Sequence, residues 1–138
     1  MASPGAPSSS SPNDKLILVI DDDNNIRAVL TMCLTMAGFR VITAVDGLDA
    51  ATKLERKPPD LIVSDLMMPG QGGYDFLRTL SGLGGGHAPV FVVTGSSLDA
   101  STINVIMSES GALEFFKKPV KMPDFIAAVH RHLKTIPQ

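Results

Sequence analysis

The sequence predicts a single α/β domain in which helices cover both faces of a parallel sheet. Short, nearly uninterrupted apolar runs of strand length alternate with longer segments whose apolar residues recur at helical spacing. Such apolar runs fit strands buried on both faces, which are typical of parallel sheets. A chain of 138 residues suffices for one domain with one core. The alternation therefore predicts five strands and five helices joined by right-handed crossovers.

Residues 1–14 differ in composition from the rest of the chain. They contain five Ser and three Pro, and after Met1 no hydrophobic residue larger than alanine. Such a segment buries too little apolar surface to offset the entropy lost on ordering. We predict a disordered tail over residues 1–14 and a folded domain over residues 15–136.

The five predicted strands are the apolar runs, each followed by polar or turn-forming residues. They are residues 16–20, 39–44, 61–64, 89–93 and 113–117.

The first two helices are predicted from apolar spacing and capping residues. Asp23 or Asn24 provides an N-cap for the first, and Gly38 ends it. Asp46 caps the second, which Pro58 and Pro59 must end. The predicted apolar face of this second helix consists of Leu48, Ala51 and Leu54.

Three more helices are predicted after the third, fourth and fifth strands. The third helix lies around residues 74–80, and the fourth runs roughly over 98–110 until Gly111 ends it. The fifth has Pro123 in its first turn, where a missing N–H is tolerated. Its apolar stripe is Met122, Phe125, Ile126, Val129 and Leu133.

Polar side chains follow the strands at one edge of the predicted sheet. In the flavodoxin-like strand order 2-1-3-4-5, the first and third strands are neighbours. That order brings Asp21 and Asp22, after the first strand, beside Asp65, after the third. Thr94 and Lys118, at the ends of the fourth and fifth strands, line the same edge.

Three carboxylates at one edge predict a divalent cation. At an effective dielectric of ~20 and a separation of ~4 Å, each pair repels by about 4 kcal/mol. Oxygen ligands without His or Cys suit Mg²⁺ better than zinc. A carboxylate such as Asp65 is also able to attack a phosphoryl group. Mg²⁺, the Lys118 ammonium and the Thr94 hydroxyl would neutralise the charge on its oxygens.

Four motifs in order make residues 15–136 similar to the response-regulator receiver domains of two-component signalling. They are the acidic pair after the first strand, Asp65 with a proline four residues later, Thr94-Gly95, and Lys118-Pro119. The resemblance implies that Asp65 accepts a phosphoryl group from a sensor histidine kinase or a histidine phosphotransfer protein. It implies a signalling switch and not a turnover enzyme.

The same resemblance implies roles for individual residues. Asp22, Asp65 and the backbone carbonyl of Met67 would bind Mg²⁺, while Asp21 would orient a metal-bound water. Lys118 would contact the phosphoryl group, and the Lys118–Pro119 bond would be cis. The sequence departs from a common family pattern at Met67, where a polar residue is frequent.

The resemblance also implies a conformational switch. Thr94 would move toward the phosphate and Phe115 would turn inward. The fourth helix, fifth strand and fifth helix would thereby change their shared face for a downstream protein target. Phe115 stands where the family often has tyrosine. Because phenylalanine has no hydroxyl group, the inward and outward orientations of its ring would differ in burial alone.

Three other functions are alternatives to a phosphoacceptor. A haloacid-dehalogenase phosphatase would need a second Asp at position 67, which is Met. A degenerate receiver usually lacks the Asp or the Lys, and both are present here. A flavin carrier would have a Thr/Ser-rich loop after its first strand, where this chain has Asp21–Asp23. Those three acids alone could simply stabilise a helix N-terminus.

The composition of the chain limits the classes of partner that are expected. Lys and Arg number 12 against 14 Asp and Glu, so the net charge of −2 does not suggest a nucleic-acid or membrane surface. No apolar run approaches the ~20 residues that cross a bilayer. The single cysteine, Cys33, suits a cytoplasmic protein. Because the sequence stops after the fifth helix, we expect no output domain in it. The chain is then expected either to act by protein contact alone or to be a piece excised from a longer protein.

The last helix carries a cluster of basic residues near its end. His130, Arg131, His132 and Lys134 are predicted to lie on its outer side, as a solvated face or a protein-docking surface.

Overall fold

The computed structural model describes residues 10–65, 88–95 and 99–137, except for the side chains of residues 109 and 110. In these ranges five strands form one sheet. They are β1 (Leu16–Ile20), β2 (Arg40–Ala44), β3 (Leu61–Ser64), β4 (Val90–Thr94) and β5 (Glu114–Lys117). The order is β2-β1-β3-β4-β5, and every neighbouring pair is parallel. The predicted fold class and strand order are therefore confirmed.

Four α-helices lie within the described residues. They are α1 (Asn24–Met36), α2 (Gly47–Arg56), α3 (Ala100–Ser110) and α4 (Met122–Leu133). The predicted helix around residues 74–80 lies outside the described part of the chain. None of the described helices combines the length and apolarity needed to span a bilayer.

The helix boundaries follow the local capping chemistry. Asp23 caps α1 by accepting hydrogen bonds from the backbone N–H groups of Asn25 and Ile26. Asp46 caps α2 in the same way, through the N–H of Asp49. Gly111 ends α3 in the left-handed conformation, at φ 69°, where a side chain would be strained.

The core consists of two apolar layers, one on each face of the sheet. All five residues of β1 are buried, and alternate residues face opposite layers. Ile17 and Val19 join the layer that contains Leu30 and Leu34 of α1 and Phe125 of α4. The second layer, which α2 and α3 cover, contains Leu18, Ile20, Ala50 and Ile106. This double covering explains why the three inner strands β1, β3 and β4, which are buried throughout, read as nearly continuous apolar runs.

The predicted apolar face of α2 is wrong for Leu48 and Ala51, while Leu54 does pack against the core. Leu48 is 64% exposed and Ala51 is also exposed, whereas Gly47 and Ala50 are buried and Leu54 is half-buried. The two buried residues are small, three positions apart and on one side of the helix, so α2 presents its backbone closely to the sheet. Spacing alone does not distinguish this face from its neighbour.

Residues 10–14, which were predicted to belong to a disordered tail, contact the folded domain. Pro12–Asp14 form a 3₁₀ turn in which Pro12 is buried. Arg40 donates a hydrogen bond from Nε to the carbonyl of Asn13 at 3.1 Å, and Ile136 donates from its N–H to the carbonyl of Ser10 at 2.9 Å. Placing residues 10–14 in a disordered tail was therefore wrong, because backbone hydrogen bonds compensate for their few apolar contacts.

The basic end of α4 is not uniformly exposed. His130 is only 6% exposed, its ring lies 5.0 Å from that of Phe39 between centroids, and its Nδ1 is 2.7 Å from the Thr135 hydroxyl. His132 is half-buried, while Arg131 and Lys134 are exposed. The prediction that all four residues face outward was wrong for His130, because the helix end turns that side chain into the core.

Candidate functional site

The carboxyl ends of β1 and β3 bring two aspartates together. Asp21 directly follows β1 and Asp65 directly follows β3, and the last residues of these strands, Ile20 and Ser64, are paired in the sheet. The N–H of Asp65 continues the pairing by donating to the carbonyl of Ile20 at 3.0 Å. The two acids are therefore neighbours because their strands are neighbours.

Asp21, Asp22 and Asp65 form an acidic cluster. Each contributes one carboxylate oxygen, and these oxygens all lie within 4.8 Å of one another. Asp21 and Asp65 are buried, with 1% and 5% of their surface exposed, whereas Asp22 is exposed. The cluster thus has a buried base formed by two carboxylates and a third carboxylate on its solvent side.

Lys118 lies between the two buried carboxylates. Its Nζ donates to Asp21 Oδ2 at 2.8 Å and to Asp65 Oδ2 at 2.9 Å. Burial alone would lower the pKa of Lys118, but the hydrogen bonds and charges of Asp21 and Asp65 outweigh it and raise the pKa above its ordinary value. The group is therefore an ammonium ion at neutral pH.

The ends of β4 and β5 position this lysine. The N–H of Lys118 donates to the carbonyl of Thr94 at 2.9 Å, and a Cβ built on Gly95 would lie 3.6 Å from Lys118 Cδ, at ordinary contact distance. The peptide bond between Lys118 and Pro119 is cis, as the resemblance implied. Thr94 is fully buried at the same edge of the sheet.

Two other predicted site residues lie apart from the cluster or outside the description. Phe115 is half-buried in β5 and packs against the core layer that contains Leu18 and Ile106. Met67 falls outside the described residues. The structure therefore brings together Asp21, Asp22, Asp65 and Lys118, with the Thr94 backbone adjoining Lys118.

The charge and donor types of the cluster fit a divalent cation. Three carboxylates outnumber the one ammonium that contacts them, so the carboxylates and Lys118 together carry excess negative charge. The donors of the cluster are all oxygen, the type that Mg²⁺ and Ca²⁺ prefer. A small dication would balance the charge and relieve the repulsion between the acids.

Arg27 is a contributor to the site that sequence reasoning missed. Its Nη1 donates to the backbone carbonyl of Asp21 at 2.7 Å. A cation so near a helix N-terminus is disfavoured by the helix dipole. That unfavourable position was the available signal that Arg27 has a specific partner.

The fold and the acidic site together define a doubly wound α/β domain of the signalling-receiver class. A family model described as "Response regulator receiver domain" matches residues 17–130. The chain therefore belongs to the response-regulator receiver family, which acts in two-component signalling.

Curated relatives extend beyond the region they share with this chain. The DNA-binding response regulator MtrA of Mycolicibacterium paratuberculosis is 35% identical over 119 residues, which are 86% of this chain and 51% of that protein. The transcriptional regulatory protein AfsQ1 of Streptomyces coelicolor is 37% identical over 76% of this chain and 45% of its own length. The chain thus spans about half the length of these relatives.

Solved structures of receiver domains resemble the chain over nearly their full length. The Francisella response regulator 1452 receiver domain has a TM-score of 0.79 at 26% identity and is covered to 98%, against 88% of this chain. The Vibrio cholerae chemotaxis protein CheY4 has a TM-score of 0.77 at 26% identity, with 98% of that chain and 86% of this one covered.

Proposed function

We propose that Asp65 is the phosphoacceptor of a Mg²⁺-dependent switch and receives its phosphoryl group from a sensor histidine kinase or a histidine phosphotransfer protein. The observation that carries the proposal is the arrangement of Lys118 between Asp21 and Asp65, with Asp22 beside them. Family membership supports it, because response regulators are partners of histidine kinases.

The chemistry assigned to Asp65 is nucleophilic. One of its carboxylate oxygens forms a bond to phosphorus, while the bond from phosphorus to the donor's leaving group breaks and its electron pair departs with that group. Lys118 is suited to balance the negative charge of the equatorial oxygens, because its ammonium already contacts Asp65 Oδ2 at 2.9 Å. The Thr94 hydroxyl is proposed to contact the phosphoryl group as well.

The proposed metal ligands are Asp22, Asp65 and the backbone carbonyl of Met67, with Asp21 holding a coordinated water. When bound, Mg²⁺ supplies charge neutralisation at the phosphoryl oxygens. The contribution of the protein is to hold the carboxylates together in the absence of the ion. Lys118 does this for the two buried acids, Asp21 and Asp65, at 2.8 and 2.9 Å.

The proposed output of the switch is a change in the face that α3, β5 and α4 form. Thr94 ends β4, next to β5, and Phe115 is the β5 residue paired with Val92 of β4. Movement of Thr94 toward a phosphate would thus act on the strand that carries Phe115. A downstream protein target is proposed to recognise this face. For this domain we propose no direct contact with nucleic acid or membrane, a cytoplasmic location, and no catalytic turnover.

Phosphorylation by acetyl phosphate in the presence of Mg²⁺ tests the assignment of Asp65. The intact mass of the native chain should increase by one phosphoryl group, and Asp65→Asn should abolish the increase. Asp60→Asn is the matched control, since Asp60 precedes the same strand at its opposite end and accepts a hydrogen bond from Leu16. Labelling that persists in Asp65→Asn, or that disappears equally in Asp60→Asn, would contradict the assignment.

A further inference from the structure

Arg27 connects helix α1 to the loop that carries the acidic pair. Its side chain is half-buried. Nη1 donates to the Asp21 carbonyl at 2.7 Å, and Nη2 donates to the side-chain oxygen of Asn24. The planar guanidinium thus bridges two acceptors, one immediately before Asp22 and one at the first residue of α1. Two hydrogen bonds from one rigid group fix orientation as well as distance.

The carbonyl that Arg27 contacts belongs to the peptide unit joining Asp21 to Asp22. Because this unit is planar, holding its oxygen also fixes the direction in which the chain enters Asp22. Asp21 is restrained independently, since its Oδ1 accepts from the N–H of Asp23 at 2.9 Å and its Oδ2 contacts Lys118. Within the described part of the chain no such restraint acts on the exposed Asp22 carboxylate, so its position in the cluster depends on its backbone.

We propose that Arg27 is a positioning residue for the metal site: it holds the Asp21–Asp22 peptide so that the Asp22 carboxylate faces Asp65. The inference rests on the proposed function, since it concerns the same Mg²⁺ site. Arg27 itself binds neither the metal nor the phosphoryl group. Partners that orient metal ligands typically contribute about 10- to 100-fold to metal affinity.

Geometry and charge predict opposite effects for Arg27. A positive charge beside the cluster repels a dication, so removing that charge should strengthen Mg²⁺ binding if charge alone mattered. Removing a positioning residue should weaken binding. The sign of the change therefore separates the two explanations.

A Mg²⁺ titration followed by calorimetry or by backbone amide shifts provides the test. We expect Arg27→Gln to bind Mg²⁺ about tenfold more weakly than the native chain. Arg27→Lys should also bind more weakly, because an ammonium does not reproduce the two-pronged geometry of the guanidinium. Equal or tighter binding by Arg27→Gln would overturn the inference.

Arg40→Gln is the matched control. Arg40 also donates to a backbone carbonyl, that of Asn13 at 3.1 Å, but it begins β2 at the opposite edge of the sheet. The Arg40→Gln variant loses the same charge and the same kind of hydrogen bond as Arg27→Gln. Because the loss is far from the acidic cluster, its Mg²⁺ affinity should match that of the native chain. An equal loss in Arg40→Gln would show that the effect of Arg27→Gln is general, and would overturn the inference.

A second variant covers the case in which Arg27→Gln fails to fold, as judged by thermal unfolding. Asn24→Ala removes one acceptor of the guanidinium and leaves its charge in place. It should weaken Mg²⁺ binding by a smaller factor, and unchanged affinity would count against the positioning role. A native chain that binds no Mg²⁺ would overturn the proposed function and this inference together, whereas native binding with unchanged affinity in the variants overturns the inference alone.

Discussion

The two ends of β5 carry ionic clusters of opposite composition. Beyond its last residue, the single cation Lys118 is shared by Asp21 and Asp65. At its first residue, the single acid Glu114 is shared by Arg131, at 3.1 Å, and His132, at 2.8 Å. One cluster thus has an excess of acids and the other an excess of basic groups.

The clusters also differ in burial, and this difference decides what each can do. The side chains of Asp21 and Lys118 are 1% and 16% exposed, whereas those of Glu114 and Arg131 are 29% and 62% exposed. Water screens the exposed cluster, so it contributes little free energy and has no need of a further ion. The buried cluster is strongly dependent on each of its charges. Of these two clusters, only the buried one fits the metal and phosphoryl site that we propose.

The largest effect is expected from Lys118→Gln. Removing the ammonium leaves two buried carboxylates facing each other, and we expect the free energy of unfolding to fall by about 3 kcal/mol in Mg²⁺-free buffer. Urea denaturation measures this change. Added Mg²⁺ should restore part of the loss, because it supplies positive charge to the same carboxylates.

Lys117→Gln is the control for the effect of Lys118→Gln. Lys117 is the neighbouring exposed lysine at the end of β5, so its replacement should change stability by less than about 0.5 kcal/mol. Equal losses in the two variants would show that the buried cluster has no special dependence on its cation.

Magnesium should stabilise the native chain through the acidic cluster. At a concentration ten times its Kd, a ligand that binds only the folded state adds about 1.4 kcal/mol to the free energy of unfolding. We expect Asp22→Asn to reduce this gain and a chelator to reverse it, as followed by thermal unfolding. A similar gain in Asp22→Asn would place the bound ion outside the cluster.

A pH-dependent effect is expected at His130, which lies beside the exposed cluster yet is buried. Burial lowers the pKa of His130 below its ordinary value of 6.5. His130 therefore binds a proton at a higher pH in the unfolded chain than in the folded chain. The stability contributed by neutral His130 is complete above about pH 6.5 and declines as the pH falls toward the lowered pKa.

Comparison with His130→Gln isolates this contribution. Urea denaturation between about pH 7.5 and about pH 5 should show a steeper loss of stability on acidification for the native chain than for the variant. Parallel pH profiles would mean that burial does not control this histidine.

The smallest effect is expected from Glu114→Gln. A hydrogen bond from His132 lowers the pKa of Glu114, burial opposes this, and Arg131 adds to the lowering. Ionised Glu114 therefore stabilises the fold above its ordinary pKa of 4.5, and this contribution disappears as the pH falls through the lowered pKa. Denaturation should show a loss of about 0.5 kcal/mol at neutral pH, and none once the pH is well below the lowered pKa of Glu114. A loss that persists in acid would assign the effect to packing.

The strands were predictable because burial on both faces leaves a strong pattern in the sequence. The run at β1 is apolar throughout, those at β3 and β4 are apolar up to their last residues, Ser64 and Thr94, and the structure has every residue of these strands buried. The meeting of Asp21, Asp65 and Lys118 followed from the strand order, since carboxyl ends of parallel strands share one edge. The helix N-caps Asp23 and Asp46 were predictable because capping is local.

The errors arose where a distant contact outweighs the local pattern. Leu48 fits an apolar stripe, yet close packing of Gly47 and Ala50 on the sheet turns it outward. His130 has a polar ring, yet Phe39 and Thr135 provide a buried environment for it. The sheet against which α2 packs and Phe39 beside His130 are both distant in the sequence, whereas Thr135 is only five positions from His130.

By itself, the sequence determined the order of strands and helices and the residue types at the carboxyl edge of the sheet, because hydrophobic periodicity and turn chemistry act over a few residues. Only the tertiary structure decided which acids are buried, that Lys118 binds two of them, and that Arg27 contacts the Asp21 carbonyl. Burial and ion pairing depend on groups separated by as many as 97 positions, as for Lys118 and Asp21, and distances of that kind have no local signature.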